Sequence, residues 1–177
     1  MAEAAPMADD SHCNEPLFVY GSLMHPRILN AIAPTHPHVA RRFVSARLPG
    51  YVRHPYHNEP YPGMIASSDP DAFVDGVLIF GLTPVDHTKL DEFEGDEYTR
   101  ASVPVAVKDQ VPASKPSEQG SLLAGSTVTA TTYLFSGPRH HLDLTKQWDY
   151  EAFARDHLDR WMQTGSDFSQ LTPQDSD

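Results

Sequence analysis

The residues most able to do chemistry lie in one short stretch, Leu90-Asp91-Glu92-Phe93-Glu94-Gly95-Asp96-Glu97-Tyr98, where carboxylates alternate with apolar side chains. A carboxylate set beside apolar groups loses hydration, which raises its pKa toward neutrality and equips it to take up and return a proton. On a wheel of about 100° per residue, Val85, Leu90 and Phe93 define an apolar arc. Glu94 falls about 40° beyond Leu90, and Glu92 lies equally near the other edge, so spacing leaves both acids open. A solvated acid at a helix end is the commoner fate of either, because Glu is rarely buried.

A second candidate is far upstream, where the apolar strand pattern Leu17-Phe18-Val19-Tyr20 runs into Gly21-Ser22-Leu23. Backbone N–H groups in such a turn can stabilise negative charge on a carbonyl oxygen, and Gly21 permits a close approach. Ser22 is outside a G-x-S-x-G elbow and has no readable His/Asp partner, so it is not a nucleophile candidate. Tyr51, Arg53, Met64, Tyr98 and Tyr133 are secondary candidates for substrate binding. Arg53 could pair with a substrate carboxylate, although packing tyrosines and surface ion pairs are the commoner uses of these residue types. The histidine pairs His36/His38, His54/His57 and His140/His141 form no H-E-x-x-H pattern, so neither metal nor cofactor is expected.

These residues need a scaffold, and 177 residues with 40% hydrophobic content describe one globular domain. The net charge of -11 would repel phosphate backbones, and no Lys/Arg-rich block offsets it, so nucleic acid is not an expected partner. The single cysteine, Cys13, rules out an internal disulfide. No apolar run approaches the roughly 20 residues that span a bilayer, and the acidic N-terminus is unlike a secretory signal. A soluble, cytoplasmic protein without a membrane partner is expected.

Residues 1–15 and 164–177 are expected to be disordered tails around a domain at 16–163. Inside it, strands are expected at 17–20, 39–48, 64–66, 73–82, 102–107 and 128–135, with Pro104 marking an irregular or edge position. A helix is expected at 26–33, and another begins where Thr83 caps, Pro84 takes the first helical position and Asp86 meets the dipole; Gly95 stops it. Residues 109–127 are expected to form a mobile insertion loop. Tyr150, Phe153, Ala154, His157, Leu158, Trp161 and Met162 fall at helical spacing, giving a last helix whose aromatic stripe is core packing. Strands outnumber helices without βαβ alternation, so the fold class is α+β.

The two chemical segments, together with Leu48-Pro49-Gly50-Tyr51-Val52-Arg53, Tyr61-Pro62-Gly63-Met64-Ile65 and Asp75-Gly76-Val77-Leu78-Ile79-Phe80-Gly81-Leu82, resemble the gamma-glutamylcyclotransferase superfamily, most closely its AIG2-like branch. The motifs occur in the family's order from about Leu17 to Phe135. The resemblance implies a mixed sheet curled into a small barrel with flanking helices and a pocket at its mouth. It also implies Glu94, immediately before the glycine, as the catalytic acid, and Tyr20, Gly21, Ser22 and Leu23 as the substrate-binding loop. The family tyrosine corresponding to Tyr98 lies near the pocket. The implied activity releases 5-oxoproline and a free amine from a γ-glutamyl compound by attack of its own α-amine. Leu23-Met24 departs from cyclotransferases that carry asparagine after the serine, as the AIG2-like branch commonly does. A cyclase, lyase or isomerase acting on a specialised metabolite is therefore an alternative, and a catalytically silent binding module is a third.

Overall fold

A computed structural model describes residues 15–109 and 123–164. The expectations for the two tails and for residues 110–122 of the 109–127 loop fall outside those residues, apart from Glu15 and Thr164 at the tail edges. Seven strands are described, namely β1 (Leu17–Val19), β2 (Arg42–Pro49), β3 (Tyr51–Pro55), β4 (Pro62–Ala66), β5 (Phe73–Phe80), β6 (Tyr98–Val107) and β7 (Thr127–Phe135). The helices are α1 (Pro26–Ile32), α2 (Pro84–Glu94), α3 (Tyr150–Asp156) and α4 (Leu158–Thr164). Five strands close into a barrel in the order β1-β5-β2-β6-β7. Only the β1–β7 seam is parallel, with Leu17 opposite Thr131, so the sheet is mixed.

The barrel forms because its strands carry apolar residues on both faces. Phe18, Val44, Ala46, Leu48, Val74, Leu78, Val103, Val105 and Ala130 meet in one cluster. Leu17, Val19 and Ile79, the alternate positions of β1 and β5, meet Ile28 and Leu29 of α1, Leu90 of α2 and Phe153 of α3 in a second. Period-two alternation thus fills the barrel with one set of side chains and seats the helices on the other. Close approach demands Gly76, where a Cβ would collide with the Val19 backbone oxygen and the Phe18 ring.

Local sequence accounts for α2. Thr83 Oγ1 accepts from the Asp86 N–H at 3.2 Å, and the Asp86 carboxylate accepts from the Thr83 N–H at 2.9 Å, closing a capping box. Gly95 at φ 71° then ends the helix. The expected apolar arc is wrong at one position, because Val85 is 58% exposed while Asp86 and His87 are buried. Asp86 can be buried because Arg41 Nη2 lies 3.2 Å from its carboxylate. β2 begins at Arg42 and not at Val39, and Arg41, just before it, also donates to the Ala33 carbonyl at 2.6 Å.

Two further differences from expectation have local causes. The β3–β4 hairpin went unread before Met64, since every β3 residue is half-buried and shows no alternation. The last helix breaks at His157 (φ -124°), giving α3 and α4 in place of one rod. Pro104 pairs opposite Thr129 of β7 and precedes the only β2 partners of β6, Ala106 and Val107, so its missing N–H faces an open stretch of ladder. No helix among the described residues is long and apolar enough to cross a membrane.

Candidate active site

Beyond β1 the chain enters a 3-10 turn, Ser22–Met24, whose first N–H groups have no acceptor within the turn. The turn is held from both sides. The Tyr20 carbonyl accepts from Arg53 Nη1 at 2.5 Å, and the Gly21 carbonyl accepts from the Met24 N–H at 3.0 Å. Because these peptides are trans, the N–H groups of Gly21 and Ser22 point the opposite way from the tethered carbonyls. Gly21 is packed so tightly that a Cβ would sit 3.1 Å from the Pro62 ring. The Tyr20 hydroxyl is spent on the Tyr133 carbonyl at 2.5 Å.

This turn forms one wall of a cavity of about 380 Å³, and the end of α2 forms another. Glu94 is half-buried on the cavity wall; burial, with a smaller contribution from Asp91, pushes its carboxyl up to about 8. Asp91 sits one turn earlier on the same helix. Its carboxylate accepts from the Tyr133 hydroxyl and from Arg100 Nη2, each at 2.7 Å. Tyr98 donates to the Pro62 carbonyl at 2.9 Å. Burial first, and neighbouring carboxylates second, hold the phenols of Tyr20 and Tyr98 well above the ordinary tyrosine range; for Tyr133 the hydrogen bond to Asp91 adds to burial. All three are therefore neutral hydroxyls at physiological pH.

Of the residues singled out in the sequence, Tyr20, Gly21, Ser22, Leu23, Glu94, Tyr98 and Tyr133 line the cavity together. Tyr51, Arg53 and Met64, expected at the substrate, lie outside that lining. Met64 is fully buried in the barrel cluster, and Tyr51 packs against the same cluster. Arg53 spends its guanidinium on the carbonyls of Tyr20 and Asp75 and stacks 5.2 Å over Trp148, so it supports the turn from behind. Glu92 is exposed on the far side of α2.

The lining also includes residues given no role in the sequence reading, among them Tyr61, Phe93, Asp96, Glu97 and Trp161. Asp96 and Glu97 stand in the acidic motif, and Tyr61 opens the Tyr61-Pro62-Gly63 motif, so their neighbourhoods carried a signal. Trp161 did not, since its helical spacing reads as core packing; it meets Phe93 edge-on at 5.6 Å at the cavity wall. Among the described residues no three potential ligands cluster to hold a metal ion.

The geometry can be set beside known proteins. The family described as gamma-glutamyl cyclotransferase, AIG2-like, matches residues 17–152. AIG2-like protein B of Arabidopsis thaliana is 30% identical over 142 residues, covering 80% of this chain and 70% of the relative. Protein AIG2 B of the same plant is 27% identical over 161 residues, covering 91% and 83%. A solution structure from Arabidopsis thaliana superposes with a TM-score of 0.58 at 21% identity, covering 97% of this chain and 90% of that one. A solved gamma-glutamyl cyclotransferase gives a TM-score of 0.51 at 17% identity, covering 90% and 82%, a likeness of fold. By the extent of the family match, the chain belongs to the gamma-glutamyl cyclotransferase, AIG2-like family.

Proposed function

We propose that this chain is a gamma-glutamylcyclotransferase-like enzyme that releases 5-oxoproline and a free amine from a γ-glutamyl compound, with Glu94 as the acid–base group. The observation that carries the reading is the Glu94 carboxyl, pushed up to about 8 by burial, on the wall of a cavity that the Tyr20 to Leu23 turn also lines. The α-amine of a γ-glutamyl compound is tethered to its own γ-carbonyl, so ring closure is entropically favoured, with effective molarities that can reach about 10⁵ M. The remaining obstacle is the proton, because an ammonium cannot attack. An α-amine titrates near 8, so a carboxylate of matched pKa can take that proton at little cost. The nitrogen then bonds to the γ-carbon, and the turn's N–H groups meet the charge that develops on the oxygen. Glu94 returns the proton to the leaving nitrogen as the original C–N bond breaks, then takes the second proton that the ring nitrogen sheds and passes it to the released amine, so the amine leaves as an ammonium and Glu94 finishes in its starting state.

One feature favours a second reading. Among the described residues that line the cavity there is no Lys, Arg or His to meet the α-carboxylate of a glutamyl group. An acid-base reaction on a less anionic specialised metabolite would use the same Glu94. The test is 5-oxoproline release by wild-type, Glu94→Gln and Glu92→Gln proteins. Glu94→Gln should lose about 10²-fold or more while melting as a folded protein. Glu92→Gln should stay within about threefold, since its carboxylate points to solvent. Loss at Glu92 with retention at Glu94 would contradict the assignment.

A further inference from the structure

Glu97 lines the same cavity as Glu94, but its surroundings shift its carboxyl the other way. Its Oε2 accepts from the Tyr56 hydroxyl at 2.7 Å, and its Oε1 lies 2.8 Å from His141 Nδ1. Tyr56 and His141 also touch each other, hydroxyl to Nδ1, at 3.0 Å. The backbone is pinned as well, since the Glu97 carbonyl accepts from the Ser136 N–H at 2.8 Å. A Cβ on Gly137 would lie 3.1 Å from the Glu97 carboxyl carbon, which closes the space on that side. The Tyr56 hydrogen bond first, and His141 next, hold the Glu97 carboxyl below the usual range. The wall therefore presents one carboxyl poised to exchange a proton and one held as an anion, with Asp96 adding a further acid and no Lys, Arg or His among the described lining residues.

We propose that Glu97 is a specificity residue, selecting γ-glutamyl compounds whose leaving amine carries a second, positively charged ammonium group and no carboxylate. This rests on the cyclotransferase reading above. An ammonium reaching Glu97 gains a charge-assisted hydrogen bond with an acceptor already oriented, whereas a carboxylate there meets like charge. The glutamyl portion is common to every such substrate, so its own α-carboxylate cancels in a comparison of leaving groups. Tyr56 and His141 are positioning residues, acting through the carboxylate they orient.

The test uses γ-glutamyl conjugates of 1,4-diaminobutane, butylamine and 4-aminobutyrate, which share chain length and differ in terminal charge. In the wild-type protein kcat/KM should be about tenfold or more higher for the diaminobutane conjugate than for the butylamine conjugate, with the aminobutyrate conjugate lowest. Within Glu97→Gln the diaminobutane-to-butylamine ratio should fall to near one, whatever happens to overall activity. Tyr56→Phe keeps the charge and frees its orientation, so the ratio should be intermediate and the change should lie in KM. Equal kcat/KM for all conjugates in the wild type, or an intact ratio in Glu97→Gln, would overturn the proposal. If no conjugate yields 5-oxoproline, the cyclotransferase reading has failed, and calorimetric affinities for the same conjugates decide this one. A preference for the diaminobutane conjugate then supports it and equal affinities overturn it.

Discussion

A carboxyl with a pKa near 8 costs the folded protein stability wherever the same group would be ionised in the unfolded chain. The ordinary glutamate value is 4.5, and in the fold Glu94 is pushed up to about 8, so between these values the folded state binds more protons. Stability contributed by the neutral form is complete below about 4.5 and is lost as pH rises through about 8. Gln at 94 keeps the shape and cannot ionise, so Glu94→Gln should melt close to wild type near pH 5 and about 5 °C or more above it at pH 8.5. Thermal melts of both proteins across that range check this; a difference that does not grow with pH would mean Glu94 titrates normally. In the sequence the acid was legible as one of two. Counting Val85 into the apolar arc of α2 placed Glu92 and Glu94 at equivalent edges. With Val85 exposed and Asp86 and His87 buried, the arc recentres on Leu90 and brings Glu94 inside. Helical spacing could not anticipate this, because it takes a long-range partner, Arg41, to make an aspartate the buried residue.

At the scale of elements, the cavity-lining turn depends on a hairpin that alternation did not reveal. The β3–β4 hairpin brings Arg53 behind Tyr20 and Pro62 against Gly21, so it fixes where the turn's N–H groups point. Arg53→Ala removes donors to two buried-side carbonyls and should cost about 2–3 kcal/mol of stability. It should also lower kcat about tenfold or more, because a misplaced N–H group no longer meets the charge that develops on the carbonyl oxygen. Denaturation curves together with turnover per folded molecule separate the effects. A stability loss with unchanged kcat would show that the turn holds its geometry without Arg53. The start and stop of α2, by contrast, were fully legible, since capping chemistry is local to Thr83, Asp86 and Gly95. Trp161 shows the opposite limit, since it packs against the core cluster as its spacing implies and also lines the cavity, which helical spacing does not encode.

Across the whole molecule, the cavity is assembled from segments far apart in the chain, the exit of β1, the end of α2, β7 and α4, and barrel closure is what brings them together. The parallel β1–β7 seam sets Tyr20 against Tyr133, a contact across 113 positions that no local pattern encodes. Fold class and motif order were legible because strands and caps are written locally, whereas barrel closure and the pair of carboxyls shifted in opposite directions depend on tertiary contacts. The central claim is intramolecular attack within this cavity, and the product reports it directly. Mass spectrometry of a γ-glutamyl amine incubated with the full chain should show 5-oxoproline and free amine, unchanged by a chelator, and acetylation of the α-amine should stop the reaction. Glutamate in place of 5-oxoproline, or continued release from the acetylated compound, would show that water is the nucleophile and contradict the cyclisation.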